Sequence, residues 1–471
     1  MQKFDFIIIG YGLTGMTAAN LLAVYGYKVA VLEKNKQLYD IPRAIHLDDE
    51  IMRIFQFLGI EKEVLAICKP VKGMQLLDKN EKLLLQTTKK ALGGFEASYL
   101  FFQPDLEKIL DKNLQKYKNV QIFWEHELLD LQTEKSIKTT ILDKKSGKEI
   151  FFEADFLWAC DGSNSAVRKI MQIPLQSLFF EAKNLKIDVQ IAQEENNSEW
   201  IQKICLPDFP FVRLHAFQKH ARWEFSVKKG FVLDQKKLDF FLQKTGIKNY
   251  QILHTALYHF KSQYAQIWQK NHVFLLGDAA HQMPPYIGQG ACAGIRDAFN
   301  LAWKTDWFLK NRLSEKLLES YFVERKNHVQ KVIFLTNLIG VLFAKKFSFL
   351  LYGLRFLPKK YRKIAVPPLQ IGSGFFGKRY GGHIFPQENG TDVHFEKKWV
   401  LLANFEPKES EKKCLENVGI QILEASKVAF FETWLSKNRA DFVLIRPDCY
   451  IFEADKKAVF EKMLGRLQIF I

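Results

Sequence analysis

An apolar run, FDFIII (4–9), breaks into GYGLTG (10–15) and resumes as MTAANLLAVYG, with apolar residues at helical spacing. A second apolar run, KVAVLE (28–33), follows and ends in an acid. Strand, glycine turn, helix, strand and acid in this order fit a βαβ unit built around a pyrophosphate. Gly10 permits the tight turn, Gly12 leaves room for phosphate against bare backbone, and Gly15 lets helix and strand pack closely. Leu13 and Thr14 fill the rest of the turn, and the helix N-terminus turns its partial positive charge to the phosphates. Glu33 stands where a carboxylate accepts both ribose hydroxyls of an adenosine. A second GxGxxG, GSGFFG (372–377), follows the paired prolines of AVPPLQI and precedes no helix, so we read it as a loop.

The chain has 471 residues, more than one compact core holds, so two or three domains are expected. Hydrophobic residues make up 48%, enough for large cores and too many for wholesale disorder. The cysteines at 68, 160, 205, 292, 414 and 449 form no CxxC pair. That spacing speaks against a metal site, a dithiol centre or a disulfide scaffold, and for a reducing, cytoplasmic setting. MQKFDFIIIG enters a strand-like run at once, unlike a secretory signal, and no stretch reaches the ~18–20 apolar residues of a membrane span. The net charge of +16 is uneven: from Arg325 to Gln387 there are twelve Lys and Arg and no acid. A solvated basic face is the simplest reading, and nucleic acid is not expected as a partner. Attraction to an anionic ligand or bilayer, through residues 325–363, is a further reading.

Far along the chain, VFLL (273–276) leads into GDAAHQMPPYIGQGACAG (277–294) and a helix from about Ala291. Asp278, at the end of a strand, suits a sugar or polyol hydroxyl. Pro284 and Pro285 stiffen the turn, while Gly288, Gly290 and Ala291 bring bare amides to a helix N-terminus, where a delocalised anion is favoured. A ligand touching both glycine segments must be long, and FAD has the length. His281, with no nucleophile pattern beside it, reads as structural.

Three segments resemble the FAD-dependent aromatic hydroxylases of the p-hydroxybenzoate hydroxylase type. They are GYGLTG with Glu33, WACDGSNSAVRK (158–169) and GDAAHQMPPYIGQGACAGIRDAFNLAWK (277–304). The branch most similar is that of 3-(3-hydroxyphenyl)propionate hydroxylase and pentachlorophenol monooxygenase, although Leu13 stands where that branch often has proline. IPRAIHLDDEIMRIFQFLGI (41–60) and FFQPDLEKIL (101–110) add weaker matches. The resemblance implies that Arg43 sits by the FAD pyrophosphate and Gln103 by the ribityl or phosphate region. It implies that Asp161 serves FAD positioning and docking of NADH or NADPH, and that Asp278 holds the ribityl chain. It also implies that Gly290 and Ala291 offer amides to the flavin O2 edge. The activity implied is hydroxylation of a small phenol-like substrate by a flavin C4a-hydroperoxide formed from O2. A membrane-peripheral hydroxylase of a prenylated quinone precursor and a non-catalytic flavin-binding protein are the rival readings.

The fold class expected is α/β, a Rossmann-like FAD-binding domain with an inserted antiparallel substrate sheet and a small C-terminal domain. The FAD-binding domain takes residues 1–175 and 266–330, the substrate sheet 176–265, a basic helical connection 331–390, and a thioredoxin-like domain 391–471. VRLHAFQ, RWEFSVK and QILHTALYHF alternate as half-buried strands do, which makes Tyr258, His215 and Arg213 pocket candidates by location. Pro285 is expected to line the flavin side, and no residue stands out as a catalytic base. The C-terminal segment resembles the domain appended in phenol hydroxylases but lacks CxxC, which gives it a structural or dimer-contact role in a homodimer or monomer.

Overall fold

A computed structural model describes residues 1–343, 363–366 and 379–468, apart from 135, 192–197, 207–208, 216–218, 229, 247–248, 389 and 396. GSGFFG and much of the basic window therefore lie outside the described residues. The first apolar run is the strand Gln2–Ile9, at the heart of a mostly parallel sheet. Val29–Glu33 and Lys148–Ala159 flank it in parallel, and Val120–Trp124 and Val273–Leu275 extend the sheet on either side. Phe6, Ile7 and Ile8 are fully buried, as a strand covered on both faces requires.

The glycines of the first turn do separate jobs. Gly10 has φ +98°, and a Cβ there would lie 2.5 Å from the Cys160 carbonyl oxygen. A Cβ on Gly15 would lie 2.0 Å from the Gly10 oxygen. Both must be glycine for the turn to close on the end of the Lys148–Ala159 strand, which sets Asp161 beside the turn. The helix Leu13–Tyr25 then crosses the helix Gly290–Asn311 at Thr14. Cβ atoms on Gly277 and Gly294 would lie 2.7 and 2.2 Å from the Thr14 hydroxyl.

The second sheet is built on the long strands Leu175–Ile191 and Tyr250–Ala265, paired antiparallel. His220–Val227, Phe211–His215 and Ile201–Ile204 continue it. It reaches beyond the expected 176–265: Met74–Leu77 adds in parallel to Ile201–Ile204, followed by Leu83–Lys89 and Lys363–Val366. The added hairpin covers backbone groups that would otherwise form an open edge. Period-two alternation sorts the faces. Leu185, Ile187, Val189, Trp223 and Phe225 pack on Phe241 and Leu242 of the helix Gln235–Thr245. The helix Lys316–Phe343 runs unbroken across the boundary expected at 330, and no described helix is long and apolar enough to cross a membrane.

The C-terminal strands order as Ile420–Glu424, Trp399–Ala403, Phe442–Ile445 and Ile451–Asp455, the first pair parallel and the rest antiparallel. Trp399 packs edge-on to Trp303 of the helix Gly290–Asn311. A buried charge cluster ties the two regions. Arg446 donates to both oxygens of Glu324 at 2.9 and 3.0 Å, and Lys304 lies 2.9 Å from the same carboxylate. Burial alone would raise the Glu324 pKa, but Arg446 and Lys304 overcome it and hold the group at about 2. The folded value lies below the unfolded one, so the stabilisation is complete above about pH 4.5 and is lost as pH falls toward 2. Glu324→Gln leaves Arg446 buried with less compensation. It should cost about 3–5 kcal/mol at neutral pH and flatten the acid limb of the melting temperature between pH 4.5 and 2, read by thermal denaturation across pH.

Candidate active site

One cavity of about 1280 Å3 runs between the glycine segments and the second sheet. Gly10, Gly12, Leu13, Thr14, Glu33, Arg43, Gln103, Asp161, Asp278, Gly288, Gly290 and Ala291 line it. Gly15 does not, since it lies behind the turn against Gly10. Two helix N-termini open into this space, at Leu13–Tyr25 after Gly12 and at Gly290–Asn311, and neither carries a side-chain cap. Their first amides are therefore available to an anion. Gly12 and Gly290 contrast with Gly10. A Cβ on Gly12 would meet nothing closer than an Arg43 nitrogen at 3.6 Å, and one on Gly290 would meet nothing within 4 Å. The protein leaves that space open beside two uncapped helix N-termini, which suits an anionic ligand.

The acids around the cavity are differently committed. Glu33 accepts from the Tyr11 amide (2.9 Å) and from the Asn35 amide and side chain (2.9 and 2.7 Å), which fixes the carboxylate while leaving lone pairs for hydroxyls. Asp161 accepts from the Ala166 and Val167 amides at 2.7 and 3.2 Å through one oxygen. Its other oxygen is buried with no partner, and burial raises its pKa. Asp278 opens onto the cavity and makes no hydrogen bond to a described residue. Gln103 holds the Arg43 loop: its oxygen accepts from the Arg43 and Ala44 amides at 2.9 and 2.6 Å, and its nitrogen donates to Glu107. The Arg43 side chain is half-exposed, over the Tyr39 ring.

Beneath the Gly277–Ala291 segment lies a polar layer that sequence patterning missed. His281 Nε2 is 2.6 Å from Asp297, which also accepts from the Gly277 amide (2.9 Å) and from Arg325 (2.7 Å). Burial would raise the Asp297 pKa, yet His281 and Arg325 hold it below the usual range. Beside it, Arg296 donates to Asp48 and Glu50, and Gln289 bridges Arg296 and Asp48. Each acid meets an arginine far away in sequence, so local spacing carried no signal.

On the second sheet the candidates divide. Tyr258 and Pro285 line the cavity. Arg213 and His215 do not, which corrects the expectation for both. They alternate with Val212 and Leu214, which take the cavity side of the strand. Arg213 instead pairs with Gln202 and Glu81, and burial pulls the His215 pKa down to about 4. Polar residues of this sheet that face the cavity include Asn184, Lys186, Lys203, Arg222 and Glu224. Lys186 and Arg222 flank the buried Asp188 at 3.7 and 2.7 Å and donate to the Pro42 carbonyl at 2.6 and 2.9 Å. Arg222 also donates to the Arg43 carbonyl (2.8 Å), so the second sheet fixes the Arg43 loop by its backbone. Among the described residues no cluster of His, Cys, Asp or Glu is fit to hold a metal ion.

Comparison with known proteins agrees with this architecture. The chain is 31% identical over 340 residues to a probable NADH-specific resorcinol 4-hydroxylase of Rhodococcus jostii, covering 70% of this chain and 64% of that one. It is 31% identical over 347 residues to a 3-(3-hydroxy-phenyl)propionate/3-hydroxycinnamic acid hydroxylase of Comamonas testosteroni, covering 72% and 59%. The chain thus matches about three-fifths of these relatives' length. The fold superposes on the flavin-dependent monooxygenase PieE with a TM-score of 0.83 at 16% identity, covering 99% of this chain and 98% of that one. It superposes on p-nitrophenol 4-monooxygenase PnpA of Pseudomonas putida with 0.66 at 18% identity, covering 73% and 90%. The FAD binding domain family model matches residues 3–336, the span that carries both glycine segments and most of the second sheet, and the chain belongs to that family.

Proposed function

We propose that this chain is an FAD-dependent monooxygenase that hydroxylates a phenol-like aromatic, with NADH or NADPH and O2 as co-substrates. The observation that carries this reading is one cavity joining two uncapped helix N-termini to a polar sheet face. Bound FAD supplies the redox chemistry and oxygen transfer. The residues of the chain bind and orient. Gly12 and the Leu13–Tyr25 amides take the diphosphate, Glu33 the adenosine ribose and Asp278 the ribityl hydroxyls. Gly290 and Ala291 take the flavin O2 edge. Pro285 closes the flavin side, and the second sheet holds the ring while excluding water. Relatives named as hydroxylases of resorcinol and hydroxyphenylpropionate favour a catalytic role over a passive flavin carrier.

The same reading assigns residues 1–175 and 266–330 to FAD and 176–265 to substrate, with the 74–89 hairpin serving the substrate side. The C-terminal unit is assigned a thioredoxin-like fold. Its chain order β-α-β-α-β-β-α, with the first strand central and parallel only to the second, supports that assignment. Lacking CxxC, it serves as structure.

Purified yellow protein offered resorcinol and 3-(3-hydroxyphenyl)propionate should consume NADH or NADPH faster and place one atom of labelled O2 in the ring. Nucleotide consumption with peroxide release alone, across a broad phenol panel, would overturn the hydroxylase reading. Gly12→Val should keep the melting temperature of the apoprotein within about 2 °C yet weaken FAD binding at least tenfold by flavin fluorescence, because its side chain fills space the fold leaves open. Asp278→Ala should likewise weaken FAD without unfolding the chain.

A further inference from the structure

The register of the second sheet sets one row of cavity-side residues: Lys186, Glu224, Val212, Lys203 and Leu76, each directly opposite the next. Neighbouring strands lie about 5 Å apart, so Glu224 stands beside Lys186 and about 10 Å from the backbone of Lys203, with Val212 between. All five line the cavity or its wall. Leu76 continues the row into an apolar slot, where it packs with Met74, Leu85, Tyr286 and Ile339. Tyr286 follows Pro285, and both line the cavity.

The charges on this face are not equally occupied. Lys186 and Arg222 are engaged with Asp188 and the Pro42 carbonyl. Glu224 has only a distant ion pair with Arg222, at 3.9 Å, and no hydrogen bond to a described residue. It is half-buried beside Val212 in the row, and Tyr286, which packs in the slot with Leu76, lies close enough to interact with it. The charged and titratable groups that act on it are Arg222 on its own strand, Lys186 and Asp188 on one neighbour, Lys203 beyond the other, and Tyr286 from the slot. Burial raises the Glu224 pKa, while burial lowers that of Lys203 to about 8. A ring lying in the slot would bring a hydroxyl to this carboxylate.

We propose that Glu224 is the proton acceptor for the substrate's ring hydroxyl, with Lys203 and Lys186 on either side stabilising the phenolate. The phenol O–H bond breaks and a carboxylic O–H bond forms on Glu224. The electron pair stays on the phenolate oxygen, and nothing is oxidised or reduced. The ring so charged is richer in electrons for oxygen transfer, which ties this inference to the proposed function. A carboxylate whose pKa lies above its usual range is better matched to a phenol than an exposed one.

The test uses FAD-loaded protein and 4-nitrophenol, whose phenolate is coloured, without NADH or NADPH. In the wild type, probe and Glu224 together hold one proton. Binding above the probe's own pKa should take up one proton per probe, measured by calorimetry in buffers of different ionisation enthalpy. Affinity should fall about tenfold per pH unit in that range. In Glu224→Gln, proton uptake should vanish and affinity should level off above the probe's pKa, because the lysines then bind the bare phenolate. Lys203→Met should lose the phenolate colour while retaining FAD. A wild type that binds phenolate without proton uptake overturns the proposal, even if the Gln variant does not fold. So does a Gln variant that still takes up the proton. No binding of 4-nitrophenol or of the wider phenol panel would instead overturn the hydroxylase reading itself.

Discussion

The contact on which the site depends is the closure of the first glycine turn onto the end of a neighbouring strand. Gly10 lies against the Cys160 carbonyl, Gly15 against Gly10, and Thr14 in the notch between Gly277 and Gly294. Three distant stretches of chain thereby meet within a few ångströms, and none tolerates a larger side chain at its contact. Two helices begin at that junction with their amides unspent. The affinity for an extended anion follows from the same close packing that holds the sheet to its helices.

The polar layer beneath this junction has a different logic. His281, Asp297 and Arg325 are fully buried and pair through Asp297, which also reaches the backbone at Gly277. Such a cluster adds little net stability over an apolar core, but it fixes direction as apolar packing does not. Here it fixes the strand end from which Asp278 projects. Asp278 can thus stand at the cavity with no hydrogen bond to a described residue while its neighbours are held in place.

Much of this was legible in the sequence, because a glycine required by contact leaves a trace at fixed spacing. The turn at 10–15, the acid at 33 and the Gly-Asp segment at 277 all read directly. The alternating stretches VRLH, RWEFSV and QILHTALYHF lie in strands of the second sheet, but alternation does not give the sheet's extent. The hairpin at 74–89 belongs to it through a parallel pairing with Ile201–Ile204, more than a hundred residues away. Alternation also cannot say which face of a strand meets a cavity. That is why Arg213 and His215 were expected there and Val212 and Leu214 are found instead. Lys186, Lys203 and Glu224 carry no motif. Their relation exists only across strands, in a register that the local sequence does not encode.

The loop bearing Arg43 is gripped by Lys186, Arg222 and Gln103 through the carbonyls of Pro42 and Arg43 and the amides of Arg43 and Ala44. Those are atoms that nearly every amino acid possesses. The side chain at position 43 can therefore change while the track beneath it stays in place. A protein fastened in this way can diversify its chemistry by changing what it presents and not where it presents it.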